Sequence, residues 1–215
     1  MKENARLSYL SSPSSPASPA GQWLLSLLRG ETVPFPGDVP GGEMKRFLQF
    51  TADAGIQPYL CYRLKQIGGW QTCPPVLAEA LEGRYLMERI AARLRRDELT
   101  YILAEFDRHG IRALVLKGSA LVHLIYPEPN LRPACDIDLL VDPAARPRAE
   151  QAILSLGYRL TNTYNFEAQY FRRKNNVEHL LDLHWKLSDS PFLSPLFAFE
   201  ELFDRSIPIN GLSIS

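Results

Sequence analysis

Apolar residues recur at helical spacing through the first half of the chain and at alternate positions through much of the second, and the rhythm changes near Gly110. Trp23, Leu24, Leu27 and Leu28 predict a short amphipathic helix, ended by the Pro/Gly-rich segment Pro34 to Gly42. Phe47, Leu48 and Phe50 predict a second helix over about 43–54. Leu60, Leu64 and Ile67 predict a third after Pro58, stopped by Gly68 and Gly69. From Pro75 to about His109 lies the longest periodic segment, with Leu77, Leu81, Leu86, Ile90, Leu94, Leu99, Ile102 and Phe106 on one broad face and Gly110 as its stop. One long helix is expected, with Gly83 as the place for a bend. Its arginines Arg84, Arg89, Arg93, Arg95 and Arg96 interleave with Glu88, Asp97 and Glu98, which reads as a solvated face rather than a nucleic-acid stripe.

After Gly110 the pattern becomes that of strands alternating with helices. Ile111 to Leu116 has strand length, Gly118-Ser119 opens a helix through about Ile125, and Tyr126 to Asn130 is a loop. Asp136 to Val141 is a second strand. Asp142 caps a helix with Pro143 at its first position, and Gly157 closes it. Tyr158 to Leu160, Glu167 to Arg172 and Val177 to Trp185 are further strands, and Ile207 to Ser215 suggests two more around an Asn210-Gly211 hairpin turn. Three regions are expected: a disordered Ser/Pro-rich tail over 1–21, a helical region over 22–109, and an α+β core over 110–215 with a mixed sheet and flanking helices.

Composition narrows the function classes. The 215 residues carry Lys+Arg 24 against Asp+Glu 24, which removes the blanket electrostatic case for nucleic acid or an anionic membrane. Hydrophobic residues make up 46% of the chain, enough for a substantial core. Cys61, Cys73 and Cys135 are too few and scattered for a disulfide framework or a zinc site of paired Cys-x-x-Cys units, and read as reduced, packed thiols of a cytoplasmic protein. No apolar run reaches membrane-spanning length, and the N-terminus lacks the hydrophobic segment of a signal peptide.

The chemistry lies in the second half. Strand alternation projects Asp136 and Asp138 from one face while Ile137, Leu139 and Val141 take the other. Adjacent anions repel unless a cation joins them, and an all-oxygen site suits Mg2+ or Mn2+. In the last strand Leu180, Asp182 and His184 share a face, which supplies a third carboxylate. Three carboxylates from two strands can hold two metal ions about 4 Å apart for in-line nucleotidyl transfer, one activating an acceptor hydroxyl and one steadying the pyrophosphate. Lys117-Gly118-Ser119 falls at a strand-to-helix junction, where backbone amides can meet a phosphate. Cys135 reads as a small buried side chain rather than a nucleophile.

These motifs resemble the nucleotidyltransferase superfamily: Gly-Ser at a helix start, Asp-x-Asp on a strand, and a later carboxylate. More narrowly, the chain resembles the poorly characterised bacterial branch with an Leu-Lys-Gly-x-Ala-Leu segment, here Leu116 to Leu121, and Asp-Ile-Asp-Leu-Leu-Val, here Asp136 to Val141. Tyr126 to Pro129, Arg132-Pro133, Gly157-Tyr158 and Asp182 to Trp185 complete the set, and the likeness runs from roughly Gly41 to the end.

The resemblance implies that Asp136 and Asp138 bind metal and that Asp182 completes the site and activates the acceptor. It also implies that Gly118 and Ser119 hold nucleotide phosphates, with Arg132 as a forked clamp, Lys117 as a point charge and His184 as an accessory group. The expected reaction is Mg2+- or Mn2+-dependent transfer of a nucleoside monophosphate from an NTP, ATP first among candidates, to a hydroxyl acceptor. Alternatives are an inactive nucleotidyltransferase-like binding or regulatory protein and, more weakly, a sugar-nucleotide glycosyltransferase. The gap between Ser119 and Asp136 is long, so the loop from Tyr126 to Pro133 must fold back towards the site. Relatives usually continue beyond the point where this chain stops, so its core is expected to be cut short at the C-terminus.

Overall fold

The computed structural model describes residues 18–190, 192 and 196–209. Two compact units divide it within one helix, the first ending at Glu88 and the second beginning at Arg89.

The first unit holds α1 (Pro19–Leu28), α2 (Gly41–Asp53), α3 (Gln57–Gln66) and the start of α4 (Pro75–Arg108). Ser18 caps α1 by accepting a hydrogen bond from the Gly21 amide, with Pro19 in the first turn, so residues 19–21 of the expected tail are helical; residues 1–17 of that tail lie outside the described residues. Trp23, Phe35 and Phe47 meet edge to face in the core, with ring centroids 4.9 to 6.3 Å apart, and the Trp23 indole donates to the Val33 carbonyl.

The second unit is a five-stranded sheet with helices packed on one face. Its strands are β1 (Ala113–Val115), β2 (Asp136–Val141), β3 (Arg159–Thr163), β4 (Glu167–Lys174) and β5 (Val177–His184), in the order β1-β2-β5-β4-β3. β2 and β5 run parallel; every other pairing is antiparallel. Between the strands lie α5 (Lys117–Leu124) and α6 (Arg146–Ser155), and α7 (Phe199–Asp204), which the sequence pattern did not suggest, follows them. Ile137, Leu139 and Val141 of β2 and Leu181 and Leu183 of β5 pack with Leu99, Ile102 and Phe106 of α4 and Ala149 and Ile153 of α6. This packing explains why the unit begins at Arg89: the second part of α4 is the layer that covers the sheet. A two-residue turn with both Asn175 and Asn176 at positive φ joins β4 to β5, the geometry that matches strand twist.

Charged groups also lie on the inner face. Glu98 of α4 and Arg172 of β4 are both buried, the guanidinium contacting both carboxylate oxygens at 2.5 Å. The Tyr158 hydroxyl donates to Glu98 at 2.6 Å, and Arg172 also donates to the Leu156 carbonyl. Burial, and then the hydrogen bond to Glu98, push the Tyr158 hydroxyl far above its ordinary value, so the phenol stays a donor.

Three expectations change. β1 is three residues rather than six. Cys135 is exposed, not packed, whereas Cys61 is buried. The Asn210-Gly211 turn lies outside the described residues, and Ser206 to Ile209 form no strand. Among the described residues no helix is long and apolar enough to cross a membrane.

Candidate active site

The polar face of the sheet is built by register. Because β2 and β5 are parallel with Asp138 opposite Asp182, the two carboxylates stand side by side on the face turned away from the core. Two residues further along β5, His184 lies on the same face and is buried. The carboxylates of Asp138 and Asp182 and a ring nitrogen of His184 offer ligand atoms within 4.8 Å of one another. Asp136 is on the same face but outside that cluster. It borders a small recess lined also by Arg95, Arg96, Ser119 and His123.

Asp138 is the hub. Its Oδ1 accepts from Lys117 Nζ at 2.8 Å and lies 3.2 Å from His184 Nε2. Burial alone would push its carboxyl up, but the hydrogen bonds from His184 and Lys117 outweigh that and hold it below the usual carboxylate range. Asp182 behaves oppositely: burial first, then the charges of Glu167, Asp136 and Asp138, push it up, with partial relief from His184. Burial opposes charge on Lys117, yet Asp138 keeps its ammonium above the ordinary value. Neighbouring carboxylates with opposite shifts, and an ammonium drawn among them, mark a site with room for positive charge.

The basic side of the site is built at the start of α5. Lys117, not Gly118, takes the left-handed backbone conformation, at φ 46°, which turns the chain from β1 into α5 and aims the lysine at Asp138. The reason for glycine at 118 is space. A Cβ there would collide with Arg132 Nη1, with Cζ 3.4 Å away. The loop from Tyr126 to Pro133 therefore does fold back, laying Arg132 across the first turn of α5, and no carboxylate pairs with that guanidinium among the described residues. Ser119 is buried; its hydroxyl donates to the Asp136 carbonyl at 3.1 Å and accepts from the Asp138 amide at 3.3 Å, which ties α5 to β2. In this arrangement the Ser119 side chain is spent on holding the Asp-x-Asp strand, and what it can offer a phosphate is its backbone amide.

Glu167 was missed from the sequence. It opens β4 opposite His184, is nearly buried, and places Oε2 3.1 Å from His184 Nδ1. The only advance signal was its position at the head of a strand of irregular polarity. Trp185 faces the core as expected, with the Arg146 guanidinium stacked on its ring.

Carboxylates on adjacent parallel strands thus stand beside a basic helix start. The chain belongs to the family described as uncharacterised nucleotidyltransferase, which it matches over residues 40–214. No curated protein matches the chain. A solved structure, described as the solution structure of antibiotic-resistance factor ANT(2'')-Ia revealing substrate-regulated conformation dynamics, is similar at 20% identity with a TM-score of 0.37. The similarity covers 46% of this chain and 50% of that one.

If Arg132 and the α5 amides hold phosphate, Gly118→Ala should weaken triphosphate binding about tenfold, the worth of one charge-assisted contact, by pushing the guanidinium off its seat. The thermal midpoint should hardly move, because the colliding atom is the end of a flexible side chain. Titration of a fluorescent triphosphate analogue checks this, and unchanged affinity would separate Arg132 from the phosphates.

Proposed function

We propose that the protein is a divalent-metal-dependent nucleotidyltransferase that moves a nucleoside monophosphate from an NTP, ATP first among candidates, to a hydroxyl acceptor in the cytosol. The observation that carries this reading is the parallel register of β2 and β5, which sets Asp138 beside Asp182 on a polar face next to the start of α5.

The residues fit a divalent cation. The carboxylate oxygens are donors for Mg2+ or Mn2+, and the Lys117 ammonium already provides a positive charge against Asp138. Asp136, Asp138 and Asp182 are the carboxylates assigned to hold metal, with His184 beside them. When bound, the metal supplies charge neutralisation on the phosphates and a lowered pKa for an acceptor hydroxyl. Gly118 and Ser119 bind phosphate through their amides, Arg132 forks two phosphate oxygens, and Lys117 follows as a mobile point charge. Asp182, whose carboxyl is pushed above its ordinary value by burial and by the neighbouring carboxylates, takes the proton of the acceptor hydroxyl. Catalysis is mostly positioning and charge neutralisation, as in phosphoryl transfer generally.

The test is triphosphate binding with and without Mg2+ or Mn2+, together with pyrophosphate release over a panel of acceptors. Asp136→Ala combined with Asp138→Ala is expected to remove the metal-dependent part of binding. If that part survives the double substitution, the assignment is wrong.

A further inference from the structure

Building on the metal-centre reading above, we infer that His184 Nε2 is itself a metal ligand and that Glu167 positions its ring for that role, giving a mixed carboxylate–imidazole centre that favours Mn2+ over Mg2+. The two ring nitrogens meet different surroundings. Nδ1 lies 3.1 Å from Glu167 Oε2. Each ring nitrogen faces a carboxylate to which it can donate, Nδ1 to Glu167 and Nε2 to Asp138, so a cation that takes the place of the Nε2 proton leaves the Nδ1–H on Glu167. The ring so held by Glu167 would offer that cation the Nε2 lone pair on its other edge. That edge faces the centre: Nε2 is 3.2 Å from Asp138 Oδ1 and 3.3 Å from Lys117 Nζ, within the cluster completed by Asp182.

Two further features hold the ring. Glu167 is fixed opposite His184 by the β4–β5 ladder. Phe166 stacks on the imidazole at 6.4 Å between centroids with the planes 19° apart. A buried imidazole pinned behind by a carboxylate and open in front toward two more is the arrangement that orients metal-bound histidines. The Lys117 ammonium sits where a cation would join Asp138 to His184, so a metal entering the centre releases it towards the phosphates. Imidazole nitrogen is a better donor to Mn2+ and later transition ions than to Mg2+, which keeps to oxygen and water.

Electron paramagnetic resonance of the full chain titrated with Mn2+, with electron spin echo modulation read on natural-abundance and 15N-histidine samples, tests the inference. Bound Mn2+ is expected to show coordinated-imidazole nitrogen modulation that responds to the isotope and vanishes in His184→Gln. Glu167→Leu should weaken Mn2+ binding about 10- to 100-fold, whereas Glu167→Gln, which keeps an acceptor for Nδ1–H, should weaken it only a few-fold. Mg2+ should compete poorly. Should His184→Gln fail to fold, Mn2+-induced broadening of the four histidine ring signals of the unsubstituted chain decides the point, since His184 must be the first to broaden. Bound Mn2+ without nitrogen modulation, modulation that persists without His184, or equal losses in both Glu167 variants would overturn this inference and leave the proposed function standing. Absence of Mn2+ binding, with or without nucleotide, would overturn both.

Discussion

Asp182→Asn is expected to raise the melting temperature of the metal-free protein while lowering nucleotidyl transfer about a thousandfold. On the proposed function, the activity loss follows from removing one preorganised charged group from a site of electrostatic catalysis, an effect of about 100- to 1,000-fold. The gain in stability follows from crowding. Burial first, and then the charges of Glu167, Asp136 and Asp138, push the Asp182 carboxyl above the ordinary value of 3.8. An acid whose folded pKa lies above its unfolded one binds its proton more tightly in the native state. Its contribution to stability is therefore present at low pH and is lost as the pH rises through the folded pKa. Asparagine keeps the shape without the charge, so the stability advantage of the variant should open as the pH rises from about 4 towards neutrality. Thermal melts across that range and pyrophosphate release at neutral pH measure the two halves. A variant that melts lower than the parent at neutral pH, or turns over within tenfold of it, would contradict the arrangement described for β2 and β5. Trading stability for function in this way is expected where a site must hold unshielded like charges until its ligand arrives.

The second large effect lies behind the sheet. Glu98→Ala should cost about 3–5 kcal/mol of unfolding free energy, because Arg172 would remain buried without its carboxylate. Glu98 and Arg172 are each only about 7% exposed in their side chains, so water cannot easily take over the lost partner. Arg172 Nε already lacks a hydrogen-bond partner, so the guanidinium depends on Glu98 for its charge balance and on Tyr101 and Tyr158, whose rings lie 5.4 and 5.0 Å away, for packing. Replacing both charges with apolar residues, Glu98→Met with Arg172→Leu, should recover most of the loss. Removing a desolvated pair costs far less than orphaning one member, although Tyr158 then gives up a hydrogen bond worth about 1 kcal/mol. Urea unfolding midpoints check this, and a single-variant loss under about 1 kcal/mol would show that solvent reaches the pair. Below its melting range the single variant should keep its turnover, since the network touches the opposite face of β4 and β5 from the carboxylates.

Alternation made Asp136 to Val141 and the polar face of Asp182 and His184 readable from the chain alone, since Ile137, Leu139 and Val141 on β2 and Leu181 and Leu183 on β5 keep the other face against the core. The neighbour relation did not follow. Nothing local says that β5 inserts beside β2 in parallel, and that long-range pairing is what sets Asp138 opposite Asp182. Glu167 escaped notice because β4 sends Arg172 inward to Glu98, so its charge pattern does not mark one polar face. The turn at Lys117-Gly118 was located correctly but its logic was not. Glycine is the residue expected at positive φ, yet lysine adopts it and glycine makes room for an arginine from a loop fourteen residues away. α7 is a six-residue helix, too brief to establish a period.

The parallel contact between β2 and β5 has a consequence for biosynthesis. Asp138 leaves the ribosome more than forty residues ahead of Asp182, and the strand that must lie between β2 and β4 is the last of the five to be made. A nascent chain short of residue 184 thus carries the Asp-x-Asp strand and the Lys117-Gly118 turn but not the full set of anions. Pairing across so long a loop comes late in folding. The pairing of Asp138 with Asp182 is thereby made only by completion of the sheet itself.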